Sequence, residues 1–165
     1  MSNVWLISDT HFGHANIIKY ANRPFDSVEE MNEALVENWN SVVKQGDKVY
    51  HLGDVTMNSK SLDIMSRLNG RKVLIKGNHD TQKLKFYTPH FYDIRGSHEL
   101  GNYLLTHIPV HESQRYRFTA NIHGHLHDSL INNPFYVNVS VEQIDYTPIA
   151  FDEIDVQIRG LNGSK

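Results

Sequence analysis

The sequence contains no cysteine. Disulfide bonds and thiolate metal ligation are thereby excluded, and an intracellular setting is the simple expectation. No apolar run approaches the roughly 20 residues needed to cross a bilayer. The start, Met1-Ser2-Asn3-Val4-Trp5, enters a short apolar stretch without the basic region and long apolar run of a secretory signal. A cytoplasmic location with no membrane partner is therefore expected. Proline is scarce: its five copies are scattered at turn-like positions, and no Gly/Ser-rich linker, repeat or low-complexity tract interrupts the chain. Residues 1–165 are accordingly expected to form one domain. Positive charge is not in excess either. Sixteen Lys and Arg against nineteen Asp and Glu give a net charge of −3, which argues against an extended footprint on duplex nucleic acid. A small anionic substrate remains compatible with that balance.

With 39% apolar and 21% charged residues, a chain of 165 residues has the composition of a folding globular domain large enough to enclose a core. Its one compositional excess is histidine, with eleven copies. Histidine is the commonest metal ligand and a general acid or base near neutral pH. Short apolar stretches at residues 4–7, 48–52, 72–75 and 103–106 read as strands buried on both faces, and further strands are expected at 120–123, 135–141 and 154–158. Ser27-Val28-Glu29-Glu30 offers a capping box. Val28, Met31, Leu35, Trp39 and Val42 follow it at helical spacing, so an amphipathic helix is expected there. A second helix is expected at 61–68, with Leu62, Met65 and Leu68 inward and Asn69-Gly70 ending it. Alternating strands and helices followed by closely spaced strands predict an α/β fold with two sheets flanked by helices.

The chemistry-bearing residues fall just past the apolar strands. They are Asp9-Thr10-His11, Gly53-Asp54, Gly77-Asn78-His79-Asp80, Thr106-His107 and Gly124-His125-Leu126-His127. Carboxylate, carboxamide and imidazole together suit borderline divalent ions such as Mn²⁺, Zn²⁺, Fe²⁺ or Ni²⁺, and one carboxylate can bridge two of them. A lone Asp-x-His or Gly-Asp is expected about once by chance. Gly-Asn-His-Asp arises by chance with a probability on the order of half a per cent, and all four motifs in this order well below about one in ten thousand. Coincidence is rejected on that count. His51 and His123, inside expected strands, read as hydrogen-bonded structural groups, and His90 and His98 as exposed loop residues; His111 is the nearest competitor of His107.

This series resembles the calcineurin-like metallophosphoesterase superfamily, whose order Asp-x-His, Gly-Asp, Gly-Asn-His-Asp/Glu, His, Gly-His-x-His is complete here. The run from Asp9 to Ile18, continuing to Arg23-Pro24-Phe25, is more narrowly similar to small phosphoesterases of phages and bacteria, which would extend the cytoplasmic expectation to a host cytoplasm. The resemblance implies a four-layer α/β sandwich of two mixed β-sheets flanked by helices, and hydrolysis of phosphate esters at two divalent metals, Mn²⁺ first and Fe, Zn or Ni as alternatives. One metal would take Asp9, His11 and His127, the other Asn78, His107 and His125, with Asp54 bridging both and a shared hydroxide as nucleophile. His79 would act as general acid, with Asp80 orienting its imidazole. From their own chemistry, the Arg23 guanidinium could bind the substrate phosphate and the His14 imidazole could help, a surface charge and a helix cap being the alternative reading. Tyr20, Phe25, Tyr116 and Phe118 could stack a nucleobase, although such residues are more often packing groups.

A short chain leaves little room for a cap over the site, so a phosphodiester or nucleotide is preferred as substrate over a phosphomonoester. Two rivals remain. His123-Gly124-His125-Leu126-His127-Asp128 resembles the metallo-β-lactamase His-x-His-x-Asp-His in part, but its last two letters are out of order and it does not account for Gly77-Asn78-His79-Asp80. A metal-binding, non-catalytic interaction scaffold would keep the metal site without turnover.

Overall fold

The computed structural model describes residues 2–163. Four parallel strands, β1 (Val4–Ile7), β2 (Lys48–His51), β3 (Arg71–Ile75) and β4 (Asp93–Arg95), form the first sheet, joined by a short antiparallel strand, β9 (Ile149–Ala150), beside β1. The second sheet runs β5 (His98–Leu100), β6 (Tyr103–Leu105), β7 (Ala120–His123), β8 (Tyr136–Asn138); only β5 is antiparallel to its neighbour. The two mixed sheets face each other across a core that includes Leu6, Tyr50, Val73 and Ile75 on one side and Leu105, Ala120 and Ile122 on the other. Their near-continuous apolar character follows from burial on both faces.

On the far side of the first sheet lies α2 (Val28–Val42), which sets Met31, Leu35 and Trp39 against Ile7, Val49 and Leu74. Ser27 caps it, its hydroxyl accepting from the Glu30 N–H at 3.1 Å. The Glu30 carboxylate returns a bond to the N–H of Asp26 rather than of Ser27, so the box closes one residue early. Shorter helices follow β1 (α1, Ile17–Tyr20) and β3 (α3, Leu84–Tyr87). The outer face of the second sheet is covered by the 108–118 segment with its 3₁₀ turn (Glu112–Tyr116), held by Asn121 and by the Tyr136 hydroxyl, both bonded to the backbone of Val110.

Two expectations change. The helix expected at 61–68 is a 3₁₀ helix, Lys60–Arg67. Its inward residues Leu62, Met65 and Leu68 repeat every three positions, which matches three residues per turn better than 3.6. The strand expected at 154–158 is instead part of α4 (Phe151–Asn162). Ile154 and Ile158 are buried while Val156 between them is 69% exposed, so the i, i+4 spacing decides and the apparent alternation does not. The helix inserts its buried isoleucines into the core between the sheets.

Ile154→Ala should therefore cost about 2–5 kcal/mol of unfolding free energy and Val156→Ala no more than about 0.5 kcal/mol. Urea denaturation measures both, and equal costs would contradict the helical register.

Candidate metal centre

Parallel strands present their carboxyl ends at one side of a sheet, where the following loops build sites. Asp9 leaves β1, Asp54 follows β2, Asn78 follows β3, His107 follows β6, and His125 and His127 follow β7. The loops tighten so sharply that four of these residues, Asp9 (59°), Asp54 (55°), His125 (72°) and His127 (52°), adopt positive φ, as does His11 (49°) after Asp9. Such backbone costs on the order of 1–3 kcal/mol per residue and persists only where the surroundings enforce it. Here they do. The Asp9 N–H donates to Gly53 O at 2.9 Å, His11 N–H to Asp54 O at 3.1 Å, and His125 N–H to Asp9 Oδ2 at 2.8 Å.

Two clusters result. Asp9, His11 and His127 form one, and Asp54, His107 and His125 the other, each offering donor atoms within 4.8 Å of one another. In the first, Asp9 Oδ1 lies 3.8 Å from both His11 Nε2 and His127 Nε2. Donors about 2.1 Å from a common ion stand roughly 3–4 Å apart, so this spacing fits shared ligation. Asp9 Oδ2 is occupied by the Ser8 and Ser140 hydroxyls and the His125 N–H, whereas Asp9 Oδ1 and His11 Nε2 are buried with no hydrogen-bond partner. Unpaired buried polar atoms carry the full cost of their lost hydration. A cation between them removes it, and the residues fit a metal on that ground.

In the second cluster, Asn78 Oδ1 lies 2.9 Å from His107 Nε2 and 3.1 Å from His125 Nδ1. His107 gives its Nδ1–H to Leu52 O at 2.7 Å, which aims Nε2 at Asn78 Oδ1 and at Asp54 Oδ2, 3.3 Å away. A neutral ring would point a lone pair at two oxygens, so either a proton or a cation must sit there. Asp54 Oδ2 is also 3.6 Å from His11 Nε2, and so stands between the clusters. Burial pushes both Asp9 and Asp54 upward, but the nearby His11 imidazole, the charge of His107 and the Ser8 hydroxyl hold Asp9 well below the usual carboxylate range, and His107 holds Asp54 down. Both carboxylates are anionic.

His79 reaches this centre through its backbone, whose N–H donates to Asp54 Oδ1 at 2.9 Å, and its ring is exposed, 5.8 Å from that of His11 between centroids. Asp80 does not orient it. Both Asp80 oxygens are consumed by the N–H groups of Asp54, Val55 and Gly77, so Asp80 pins the two ligand loops together instead. Glycine is required where those loops touch: a Cβ on Gly53 (φ 101°) would meet Gly77 N at 2.6 Å and His107 Nδ1 at 2.7 Å. His14 lies beside the centre, its Nδ1 3.3 Å from that of His11, and burial followed by the His11 charge lowers its pKa.

Arg23 is corrected from a substrate contact to a buried strut. It is 3% exposed, and its guanidinium donates to Asp9 O, Thr10 O and Glu142. Glu142, in a turn after β8, had no signal in the sequence because its partners lie 15 and 119 positions away. It accepts from His127 Nδ1 at 3.0 Å and fixes that ring with Nε2 toward Asp9. Burial lowers the His127 pKa, but Glu142 and Asp9 outweigh it and raise it. His51 is structural as expected: buried, bonded to the Thr10 hydroxyl and the Gly53 N–H, and held neutral by desolvation with a pKa of about 3. His123 is likewise buried, with Nδ1 bonded to Gly124 O. His98 is not a loop residue; it is half-buried in β5 and stacks on Tyr50.

Each cluster adjoins its own cavity. One of about 470 Å³ is lined by His11, His14, His79 and His127 together with Ile17, Tyr20, Ala21, Met57, Leu126 and Asp128. The other, about 380 Å³, is lined by Gly77, Asn78, Thr106 and His107 with Lys76, Gly96 and Ile108. A larger groove of about 930 Å³ between β8, β9 and α4 contains none of the cluster residues.

Glu142→Gln should lower affinity for one of two bound ions by about 10–100-fold while leaving the fold intact, since removing the partner of a ligating histidine has that effect. Calorimetric Mn²⁺ titration reads it, and unchanged binding of both ions would leave Glu142 only its pairing with Arg23.

Among known proteins, the chain is 42% identical over 170 residues to the uncharacterized protein MJ1445 of Methanocaldococcus jannaschii, an alignment covering 93% of this chain and 90% of that one. It is 42% identical over 85 residues to the Gene 66 protein of Mycobacterium phage L5, covering 48% of this chain and 41% of the phage protein. Of solved structures, the protein AQ665 of unknown function from Aquifex aeolicus superimposes with a TM-score of 0.76 at 30% identity over 95% of this chain and all of the other. A novel archaeal phosphodiesterase shares the fold with a TM-score of 0.50 at 20% identity, over 84% and 82% of the two chains. Residues 3–140 match the model of the calcineurin-like phosphoesterase superfamily domain, and the chain belongs to that superfamily of metal-dependent phosphoesterases.

Proposed function

We propose that the protein is a binuclear metal-dependent phosphodiesterase that cleaves nucleotide or nucleic-acid-derived phosphodiesters. One divalent ion would be held by Asp9, His11 and His127 and a second by Asn78, His107 and His125, with Asp54 shared. The mixed nitrogen and oxygen donors, without sulfur, favour Mn²⁺, with Fe, Zn or Ni as alternatives. Such ions supply Lewis acidity and a water deprotonated near neutral pH.

The chain's own groups do the rest. Asp54 and Asp9 keep their negative charge in a buried site and so retain cations there. His79, exposed and lining the cavity with His11, would give a proton to a departing oxygen. His14, lining the same cavity, would contact the phosphate. The observation that carries the diester reading is the pair of cavities, one against each cluster, because a diester carries two substituents on its phosphorus and a monoester one. The archaeal phosphodiesterase of the same fold is consistent with it.

Steady-state kinetics with Mn²⁺ test the reading. Bis(p-nitrophenyl) phosphate should show a higher kcat/KM than p-nitrophenyl phosphate; a clear reversal makes the protein a phosphomonoesterase, and bound metal without turnover makes it a scaffold. General acid help contributes about 10²–10⁴-fold, and only when the leaving oxygen needs a proton. His79→Ala should therefore lose at least about tenfold more activity on a nucleotide diester with an alkoxide leaving group than on the nitrophenyl diester. Equal losses would instead assign His79 to charge stabilisation at the phosphoryl oxygens.

A further inference from the structure

We infer that the cavity of about 470 Å³ beside the Asp9–His11–His127 cluster is a nucleobase subsite, with Tyr20 as its stacking face and Asp128 as acceptor for base N–H groups. The inference rests on the nucleotide phosphodiester reading of the centre and adds which residues would read the substrate's base. Four aromatic residues were candidates for stacking, and the structure separates them. Phe25 is committed to an edge contact with Tyr146, 5.2 Å between centroids, and packs against the core beneath α2. Phe118 is buried. Tyr116 is exposed but lies in the Glu112–Tyr116 turn and does not line the cavity. Tyr20 remains: it is 78% exposed, lines the cavity, and has one ring neighbour, His14, at 6.5 Å.

An exposed tyrosine beside a metal centre has left an apolar face to water that a planar ligand would cover. The chemistry of the walls selects the ligand. Ile17, Ala21, Met57 and Leu126 join Tyr20 in an apolar lining, and Met57 is partly exposed there. Among the described residues no lysine or arginine lines this cavity, and Asp128 is an exposed carboxylate, so a second phosphate or a sugar phosphate tail would be repelled rather than held. A heterocycle meets both demands, with π-faces for the apolar walls and N–H groups for the carboxylate. The volume lies within the range of cavities that enclose small ligands. His11 and His127, on the same lining, would put the attached phosphate next to the metal ligands.

The test compares AMP with ribose 5-phosphate, which share a phosphate and differ by the base. Calorimetric binding to the Mn²⁺-loaded protein should show AMP at least about tenfold tighter, the lower range for stacking one base. Tyr20→Ala and Met57→Ala should each reduce that ratio at least about threefold, and Tyr116→Ala should leave it unchanged. Equal affinities of the two ligands for the unmodified protein would overturn the subsite, as would an undiminished ratio in Tyr20→Ala. The two readings fail separately: base-dependent binding without diester turnover overturns the catalytic reading and supports the subsite, while diester turnover without base dependence does the reverse.

Discussion

The carboxylate of Asp54 stands between two groups of histidines, and most of what is unusual in the structure follows from holding it there. One oxygen is pinned by the His79 N–H, and the other faces His11 at 3.6 Å and His107 at 3.3 Å. The residue sits at φ 55°, and its own N–H is held by Asp80, which also grips Val55 and Gly77. Gly77 lies so close that an added Cβ would run into the Asp54 carboxylate and backbone. Loops from β2 and β3 are thus locked into one unit, and the strain at Asp54 is offset by neighbouring bonds rather than relaxed.

That unit gathers negative charge and imidazole nitrogen in a place from which water is largely excluded. Two anionic carboxylates buried near each other repel, and burial itself penalises their charge, so the arrangement needs positive charge among the donors to be stable. Partners outside the cluster hold the donors in place. Arg23, buried against Glu142 and the carbonyls of Asp9 and Thr10, stiffens the β1 loop, and Glu142 turns His127 inward. The unpaired Asp9 Oδ1 and His11 Nε2 mark what protein atoms alone do not satisfy. Ligand geometry, backbone strain and the orphaned Asp9 and His11 atoms therefore point to the same location.

Much of this was legible in the sequence, for a physical reason. The candidate ligands at strand ends carry local signals, Asp-x-His, Gly-Asn-His-Asp or Gly-His-x-His just past an apolar strand, so Asp9, His11, Asn78, His125 and His127 could be singled out without knowing the fold. The helix at 28–42 was legible because its cap and its apolar period agree. What was not legible depends on contacts remote in sequence. Arg23 looked like an anion-binding residue because guanidinium suits phosphate, and only its burial shows that Glu142 has taken that role. Asp80 was read through its neighbour His79, whereas its partners are backbone groups supplied by two separate loops. At 154–158 the side chains fit both a period of two and one of 3.6, and the environment of Val156 chose between them.

The central claim is that the two clusters hold a pair of ions sharing Asp54. Electron paramagnetic resonance of the Mn²⁺-loaded protein tests it most directly, because two ions about 3.5–4 Å apart with a common carboxylate are magnetically coupled. The account predicts two Mn²⁺ per chain with an exchange-coupled spectrum that Asp54→Ala abolishes. A single ion per chain, or two uncoupled ions indifferent to that substitution, would contradict it.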